Sequence, residues 1–197
     1  MIIAVTGSIG AGKSTVSKLL AGKICCERFD ADSIVAELWQ SEKIKSLAIK
    51  RWGNKIVDSS GNIIKSEISR QIFTDKSEYK FCNDMIHSLV MKELHERTEN
   101  LAISVLEIPL LFEAGRPSWI DIIIYVRANY NIRLERCINN RGWTEQELLR
   151  RENLLMPENV KISQSDYIIE NDKGLDDLQE KINSFIITEI YTQEKIF

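Results

Sequence analysis

The sequence lacks any apolar run long enough to cross a lipid bilayer, and it also lacks an excess of positive charge. Its formal net charge is −3, which argues against general affinity for nucleic acid. The first apolar stretch ends after five residues and no basic leader precedes it, so the pattern is not that of a signal peptide. We therefore expect a cytoplasmic protein that binds neither membranes nor nucleic acid.

Patterns typical of metal clusters are missing as well. The sequence has four cysteines, Cys25, Cys26, Cys82 and Cys137. None of them forms a C-x-x-C pair, and two adjacent cysteines do not suit the usual geometry of a zinc site. The two histidines, His87 and His95, lie in one helical pattern about two turns apart, too far for a shared metal ion. We expect reduced, mostly buried thiols, and histidines that serve in packing or substrate contacts.

A phosphate-binding motif is the strongest feature present. Residues 7–14 read GSIGAGKS, the G-x-x-x-x-G-K-[ST] pattern, between the apolar residues 2–5 and a helical pattern. Glycines let backbone N–H groups approach phosphate oxygens, and the following helix presents its unpaired donors and positive dipole end. The motif predicts a nucleotide site in which Lys13 reaches the β/γ-phosphates and Ser14 ligates Mg²⁺. An ordinary glycine turn is the weaker alternative, because all specified positions match.

Two carboxylates follow the next predicted strand, residues 24–29, in the sequence Asp30-Ala31-Asp32. In a parallel sheet, ligands bind at the carboxyl edge, which also carries the phosphate loop. Phosphoryl transfer to an alcohol needs a carboxylate near the attacking hydroxyl, and we expect Asp32 to supply it. Asp30 either holds Mg²⁺ through water or orients the turn. Alternatively, Asp32 merely caps the following helix.

Apolar runs and helical patterns alternate along the rest of the chain. We expect the first helix to end at Gly22, a helix over residues 33–51, and strands at 101–108, 120–126 and 167–169. The order predicts an α/β fold of the P-loop NTPase type, with three α/β/α layers and a parallel sheet of about five strands. An inserted helical region and a helical lid complete this prediction.

Arginine is concentrated in one helical hairpin. Six arginines lie in this stretch: Arg127, Arg133, Arg136, Arg141, Arg150 and Arg151. With three glutamates they give a local net charge of +3. Arginine suits bidentate contacts to phosphate oxygens, so we interpret residues 127–157 as a lid and favour Arg141, beside the turn, for transition-state contact. For any one arginine, a solvated surface with i,i+4 ion pairs remains an alternative.

Several segments together resemble the dephospho-coenzyme A kinase family nearly end to end. The first three are STV at residues 14–16, DAD at 30–32 and PLLFE at 109–113. In addition, residues 141–144 (RGWT) look like that family's lid, and residues 165–171 (SDYIIEN) look like its last strand and adenine-side turn. Each string is a modest signal alone, but their order and spacing are specific.

The resemblance implies transfer of the ATP γ-phosphoryl group to the ribose 3′-hydroxyl of dephospho-coenzyme A, the last step of coenzyme A synthesis. It implies Mg²⁺ as cofactor, Asp32 as base, and Lys13 and Arg141 as further catalytic residues. The implied ATP-binding residues are Gly10, Ala11, Gly12, Lys13, Ser14, Thr15 and Asn171. The implied acceptor-binding residues are Asp32, His87 and Leu110. We expect a single domain over 1–197, a helical acceptor-binding insertion at 60–100, and a monomer or weak homo-oligomer.

The chain departs from the family pattern at three positions. Ser88 replaces a usual proline after His87, Glu107 replaces a common aspartate, and Leu155 replaces a frequent glutamine. A nucleoside monophosphate kinase is the nearest alternative, because it would share the loop, lid and sheet. A GTP-dependent switch is disfavoured, because NKIV at residues 54–57 lacks the aspartate of the guanine-reading N-K-x-D pattern.

Overall fold

The computed structural model describes residues 1–73 and 76–191. The chain divides into two compact units, one of Met1–Phe29 with Thr98–Phe197 and the other of Asp30–Arg97. Residues 74 and 75 of the expected insertion, and residues 192–197 of the expected domain, lie outside the described residues. That the chain forms a single domain stays a prediction.

The elements alternate as expected for an α/β chain. The strands are β1 (Ile2–Gly7), β2 (Glu27–Asp30), β3 (Ser104–Glu107), β4 (Ile122–Arg127) and β5 (Tyr167–Glu170). The helices are α1 (Lys13–Lys23), α2 (Ala31–Leu38), α3 (Glu42–Trp52), α4 (Lys65–Ile72), α5 (Lys76–Thr98), α6 (Tyr130–Arg141), α7 (Glu145–Glu152), α8 (Glu158–Ser163) and α9 (Leu175–Phe185). In the described parts of the chain, no helix is both long and apolar enough to cross a bilayer.

The first unit is built on a five-stranded sheet in the order β2-β3-β1-β4-β5. Strand β1 pairs in parallel with both β3 and β4, and β4 pairs in parallel with β5. The expected parallel sheet of about five strands is therefore confirmed. Its central strand β1 leads directly into the phosphate loop, so the loop lies at the carboxyl edge of the sheet.

The central strands β1, β3 and β4 are buried on both faces, which is why they read as largely apolar runs. On one face, strand residues such as Ile3, Val5 and Ile124 pack in one core with side chains of α1 and α9. Alternate strand residues, including Leu106 and Ile123, face the other way and are also fully buried. This double burial fits the expected three-layer arrangement.

Helix α1 does not end at Gly22 as expected. It continues to Lys23, and the chain leaves it through Cys25, which has a φ of +51°. The N–H of Cys26 donates to the carbonyl oxygen of Ala21 at 3.1 Å and closes the helix end. Because the helix runs further than predicted, β2 begins at residue 27 rather than 24.

The second unit contains α2, α3, α4 and nearly all of α5. The helix predicted over residues 33–51 is in fact two helices, because Ser41 accepts a hydrogen bond from the N–H of Ile44 and starts α3 anew. Aromatic side chains fill the core beside this break: the ring centroids of Trp39 and Trp52 lie 6.3 Å apart, and those of Trp52 and Phe81 lie 5.6 Å apart.

The four cysteines are unpaired, as expected. Cys82 and Cys137 are buried, Cys26 is half-buried and Cys25 is exposed. Among the described residues, no group of three or more His, Cys, Asp or Glu side chains is arranged to hold a metal ion.

Candidate active site

The phosphate loop joins β1 to α1, and its glycines are required by the protein's own packing. Gly7 has a φ of +150°, and a Cβ atom there would lie 2.0 Å from the carbonyl oxygen of Val126. Gly12 has a φ of +95°, and a Cβ atom there would lie 2.3 Å from Nδ2 of Asn171. Neither position accommodates a side chain without displacing its neighbours.

The side chain of Lys13 lies along the phosphate loop and binds its backbone. Its Nζ donates to the carbonyl oxygens of Gly7 at 3.1 Å and Ser8 at 3.0 Å. The first turn of α1 carries no acidic side chain of its own that would oppose the positive end of the helix dipole. Ser14 and Thr15 are exposed at this helix start. The loop thus presents backbone donors and an ammonium group, the arrangement that binds anionic phosphates.

A buried carboxylate accepts the hydroxyl of Ser14. Ser14 Oγ donates to Glu107 Oε1 at 2.5 Å, and Ser17 Oγ donates to Glu107 Oε2 at 2.9 Å. Arg28 forms an ion pair with the same Oε2 atom. Burial acts to raise the pKa of Glu107, which is 4% exposed, but the hydrogen bonds from Ser14, Arg28 and Ser17 outweigh it. The pKa of Glu107 is therefore lowered, and the carboxylate is ionised at neutral pH.

The Ser14 hydroxyl and the Glu107 carboxylate form a donor set that suits Mg²⁺. Mg²⁺ prefers oxygen ligands and usually binds one or two protein groups together with water and substrate phosphates. Glu107 stands out in the sequence only as a departure from a pattern, and the sequence motifs predict no role for Arg28 or Ser17. No local signal marks them, because Arg28 on β2 and Ser17 on α1 meet Glu107 of β3 only in the folded chain.

Two arginines of α6 donate hydrogen bonds to backbone carbonyl oxygens of the phosphate loop. Arg133, which is 7% exposed, donates to the carbonyl oxygen of Ile9 at 3.1 Å and pairs with Glu152. Arg136 Nη1 donates to the carbonyl oxygen of Ala11 at 3.3 Å. Both side chains satisfy loop carbonyl oxygens and leave the loop N–H groups without a contact from either arginine.

Asn171 also donates a hydrogen bond to the phosphate loop. Its side chain is nearly buried, and Nδ2 donates to the carbonyl oxygen of Ala11 at 2.8 Å. Its backbone N–H donates to the carbonyl oxygen of Arg127 at 2.8 Å, which fixes the turn after β5. The expected ATP-binding residue therefore contacts the phosphate loop directly.

The predicted lid consists of α6, α7 and the turn between them. Thr144 caps the start of α7, because its Oγ1 accepts from the N–H of Glu147 at 3.2 Å. The Glu147 carboxylate, however, accepts from Arg150 at 2.9 Å and Arg151 at 2.6 Å. For these two arginines, the alternative of helix-surface ion pairs describes the structure.

Arg141 is exposed at the end of α6, where the chain turns through Gly142. Its guanidinium carbon lies 4.8 Å from the ring centroid of Trp143, and that of Arg151 lies 4.2 Å from the same centroid. Cation–π contacts of this kind are weak at exposed sites. They hold Arg141 at the hairpin turn without burying its charge.

A polar cavity of about 170 Å³ lies beside the loop in the first unit, and its lining includes Ser8, Tyr125 and Glu158. Ser8 Oγ donates to Glu158 Oε1 at 2.8 Å and is 2.9 Å from the Tyr125 hydroxyl. Because the carboxylate cannot donate, the single hydroxyl proton of Ser8 is used on Glu158, and Tyr125 donates to Ser8. Burial raises the pKa of Tyr125 to about 12.

The segment after β3 is anchored by a buried ion pair. Lys161 Nζ lies 2.5 Å from Oε1 of Glu113, and both side chains are nearly buried. Leu110, an expected acceptor contact, is half-buried in this segment. Lys161 is therefore a structural partner of the segment that carries Leu110.

Asp30, rather than Asp32, caps α2. Asp30 Oδ1 accepts from the N–H of Asp32 at 2.9 Å, so the alternative in which Asp32 is the cap is wrong. Asp32 instead lies exposed in the first turn of α2 and lines a mainly apolar cavity of about 250 Å³ within the second unit. Other lining residues are Trp39, Ile63, Lys65, Ile68 and Phe73. His87 is half-buried on α5 and is not among the lining residues.

The chain is similar to known proteins over almost its whole length. The family model described as Dephospho-CoA kinase matches residues 1–177. A Dephospho-CoA kinase of Fusobacterium nucleatum subsp. nucleatum is 36% identical over 195 residues, which cover 95% of this chain and 98% of that protein. The crystal structure of TT1252 from Thermus thermophilus is 30% identical, with a TM-score of 0.76 and coverage of 96% of this chain and 97% of that one.

A more distant solved structure supports the fold alone. Dephospho-CoA kinase from Campylobacter jejuni is 21% identical, with a TM-score of 0.68 and 98% of each chain covered. The family match and the curated relative confirm the resemblance inferred from the sequence motifs. This chain belongs to the dephospho-CoA kinase family.

Proposed function

We propose that this protein transfers the γ-phosphoryl group of ATP to the ribose 3′-hydroxyl of dephospho-coenzyme A, giving coenzyme A and ADP. The observation that carries the proposal is the phosphate loop, with Lys13 along it and Ser14 bonded to a buried carboxylate, in a chain of this family. In the reaction the hydroxyl oxygen forms a bond to the γ-phosphorus while the bond to the ADP oxygen breaks.

On the nucleotide side, the loop N–H groups and Lys13 bind the β- and γ-phosphates. Ser14, with Glu107 behind it, would hold Mg²⁺, which would supply positive charge to the phosphates. The described residues near the loop fit this assignment, because the Ser14 hydroxyl and the Glu107 carboxylate lie together. Asn171 and Arg136 keep the loop in the shape that its glycines allow.

On the acceptor side, Asp32 accepts the proton of the 3′-hydroxyl as the new bond forms. Two observations support this role: the cap function belongs to Asp30, and Asp32 lines a cavity within the second unit. The apolar lining of that cavity suits the flat or aliphatic parts of a large acceptor. Contacts of His87 and Leu110 with the acceptor stay predictions.

Arg141 is the lid residue that contacts the transferring phosphoryl group. Its exposed position at the hairpin turn supports this role, because no ion pair with a carboxylate of the described residues restrains it. A closed lid would exclude water and favour transfer to the acceptor over hydrolysis. The expectations of a monomer or weak homo-oligomer and of a cytoplasmic location stay predictions.

The proposal is tested by ADP release in a coupled assay with Mg²⁺, ATP and a panel of acceptors. Dephospho-coenzyme A, adenosine and nucleoside monophosphates are supplied separately, and the product is identified by mass. We expect ADP release with dephospho-coenzyme A and formation of coenzyme A. Activity confined to nucleoside monophosphates would overturn the acceptor assignment, and a preference for GTP over ATP would favour the switch. Lys13→Ala is the negative control.

A further inference from the structure

Arg28, on β2, is connected to the expected Mg²⁺ ligand through a chain of hydrogen bonds. Its Nε donates to Ser17 Oγ at 2.8 Å, and its Nη2 pairs with Oε2 of Glu107. The other carboxylate oxygen of Glu107 accepts the Ser14 hydroxyl at 2.5 Å. All four side chains belong to the first unit.

The two oxygens of Glu107 therefore have separate tasks. Oε2 accepts from Arg28 and from Ser17, while Oε1 accepts from Ser14. A glutamate has three side-chain torsions, and the last of them is only weakly restricted. A guanidinium fork that binds both Oε2 and a neighbouring hydroxyl removes this freedom, because its donors have fixed relative directions.

Because Glu107 and Arg28 are both largely buried, a lysine at position 28 would not restrain the Glu107 carboxylate as arginine does. Glu107 is almost fully buried, and the side chain of Arg28 is also largely covered, with 19% of it exposed. A buried carboxylate needs a charged partner, and a lysine at position 28 would provide the charge without the fork. Charge compensation and orientation are thus two properties that a substitution can separate.

We propose that Arg28 is a positioning residue that fixes Glu107 against Ser14 and thereby sets how strongly Mg²⁺ increases nucleotide affinity. The inference rests on the proposed function for the assignment of Mg²⁺ and nucleotide to this loop. It adds a residue that the motifs do not identify. Arg28 acts through Glu107 and Ser14 and does not itself contact the nucleotide.

The test is calorimetric titration of ADP into the purified protein, with Mg²⁺ and with EDTA. The variants are Arg28→Lys and Arg28→Met. Arg116→Met is the matched control, because Arg116 pairs with Asp166 through two hydrogen bonds of 3.0 and 2.8 Å elsewhere in the first unit. Circular dichroism and thermal unfolding establish that each variant is folded, and Arg28→Lys serves if Arg28→Met does not fold.

We expect both Arg28 variants to reduce the Mg²⁺-dependent gain in ADP affinity by about tenfold, as is typical when a group behind a metal ligand is removed. Their affinity for ADP in EDTA should stay unchanged, and Arg116→Met should match the wild type under both conditions. A wild-type Mg²⁺ gain in Arg28→Lys, or an equal loss with and without Mg²⁺, overturns the inference.

The calorimetric result for ADP does not depend on which phosphoryl acceptor the protein uses. If the wild type binds Mg²⁺ and ADP but does not phosphorylate dephospho-coenzyme A, the proposed function fails while the role of Arg28 is still measured. If dephospho-coenzyme A is phosphorylated and the Arg28 variants keep the full Mg²⁺ gain, only the role of Arg28 fails. The two proposals are therefore distinguished by separate measurements.

Discussion

Arg136 and Asn171 donate to one and the same acceptor, the carbonyl oxygen of Ala11 in the phosphate loop. The two donor distances are 3.3 Å from Arg136 Nη1 and 2.8 Å from Asn171 Nδ2. Arg136 Nη2 also donates to the backbone oxygen of Asn171 at 2.9 Å, so the three groups form a closed set. Residues that are far apart along the chain thus fix the loop in one conformation.

Removal of the Asn171 side chain should weaken this support. We expect Asn171→Ala to lower the free energy of unfolding by about 1–3 kcal/mol, because a buried loop carbonyl loses its shorter hydrogen bond. ADP affinity should fall as well, since the loop is less well ordered. Urea unfolding and calorimetric titration measure the two effects. The exposed Asn183→Ala on α9 is the control, and equal stability in both variants would contradict the role of Asn171.

Gly12 and Gly22 provide a matched pair of substitutions to alanine. Gly12→Ala should destabilise the protein by about 1–3 kcal/mol and abolish nucleotide binding, because a Cβ atom clashes with Asn171 and the backbone is left-handed. Gly22→Ala, with nothing within 4 Å of its Cβ position, should stabilise α1 by about 0.5 kcal/mol. Thermal unfolding with and without ADP compares them. Unchanged stability and ADP binding in Gly12→Ala would contradict the prediction, because the loop would then accommodate a Cβ atom.

Substitutions at Asp30 and Asp32 separate capping from catalysis. Asp30→Ala should cost about 1 kcal/mol of stability, because the N-cap of α2 is lost. Asp32→Asn should leave the unfolding free energy almost unchanged and lower kcat by about 10²-fold or more, because the proposed proton acceptor is gone. Urea unfolding and steady-state kinetics are the measurements. If Asp32→Asn keeps its turnover, the assignment of the base is wrong.

Arg141 and Arg150 lie in the same lid but have different surroundings. We expect Arg141→Ala to lower kcat by about 10²-fold while the KM for ATP changes little, because the side chain acts on charge that develops in the transition state. Arg150→Ala should have little effect, since Arg150 pairs with Glu147 on the helix surface. Steady-state kinetics with varied ATP test both, and equal kinetics in the two variants would remove the lid role.

The stability of the protein should depend on Tyr125 at alkaline pH. The pKa of this phenol is raised to about 12 in the folded state, above the ordinary value of about 10. Its stabilising contribution is complete below about pH 10 and is lost as the pH rises towards 12, because only the unfolded chain releases the proton in that range.

The unfolding free energy of the wild type should therefore decline relative to Tyr125→Phe by roughly 1 kcal/mol per pH unit in that range. Urea unfolding from pH 8.5 to 11.5 measures the difference. Tyr191→Phe is the control, because this exposed phenol lies outside the hydrogen-bond chain from Tyr125 to Glu158. The same slope for both variants would contradict the assignment to Tyr125.

The local rules identified some boundaries and missed others. The cap of α7 is of the kind that local rules can identify, because Thr144 accepts from Glu147, only three positions further along the chain. Gly22 fails as a terminator, since helix α1 is closed further on by the left-handed Cys25. Asp30 and Asp32 are both good caps by composition, and only the backbone geometry shows which of them is used.

Motif spacing and hydrophobic periodicity depend on neighbouring residues, so the phosphate loop, the parallel α/β sheet and the family resemblance follow from the amino-acid order alone. Two contacts, by contrast, depend on how distant segments fold together: the largely buried ion pair of Arg28 with Glu107, 79 positions apart, and the hydrogen bond from Asn171 to Ala11. The physical reason is the strand order: parallel strands bring distant segments together at one edge, where close packing selects partners that no local pattern records.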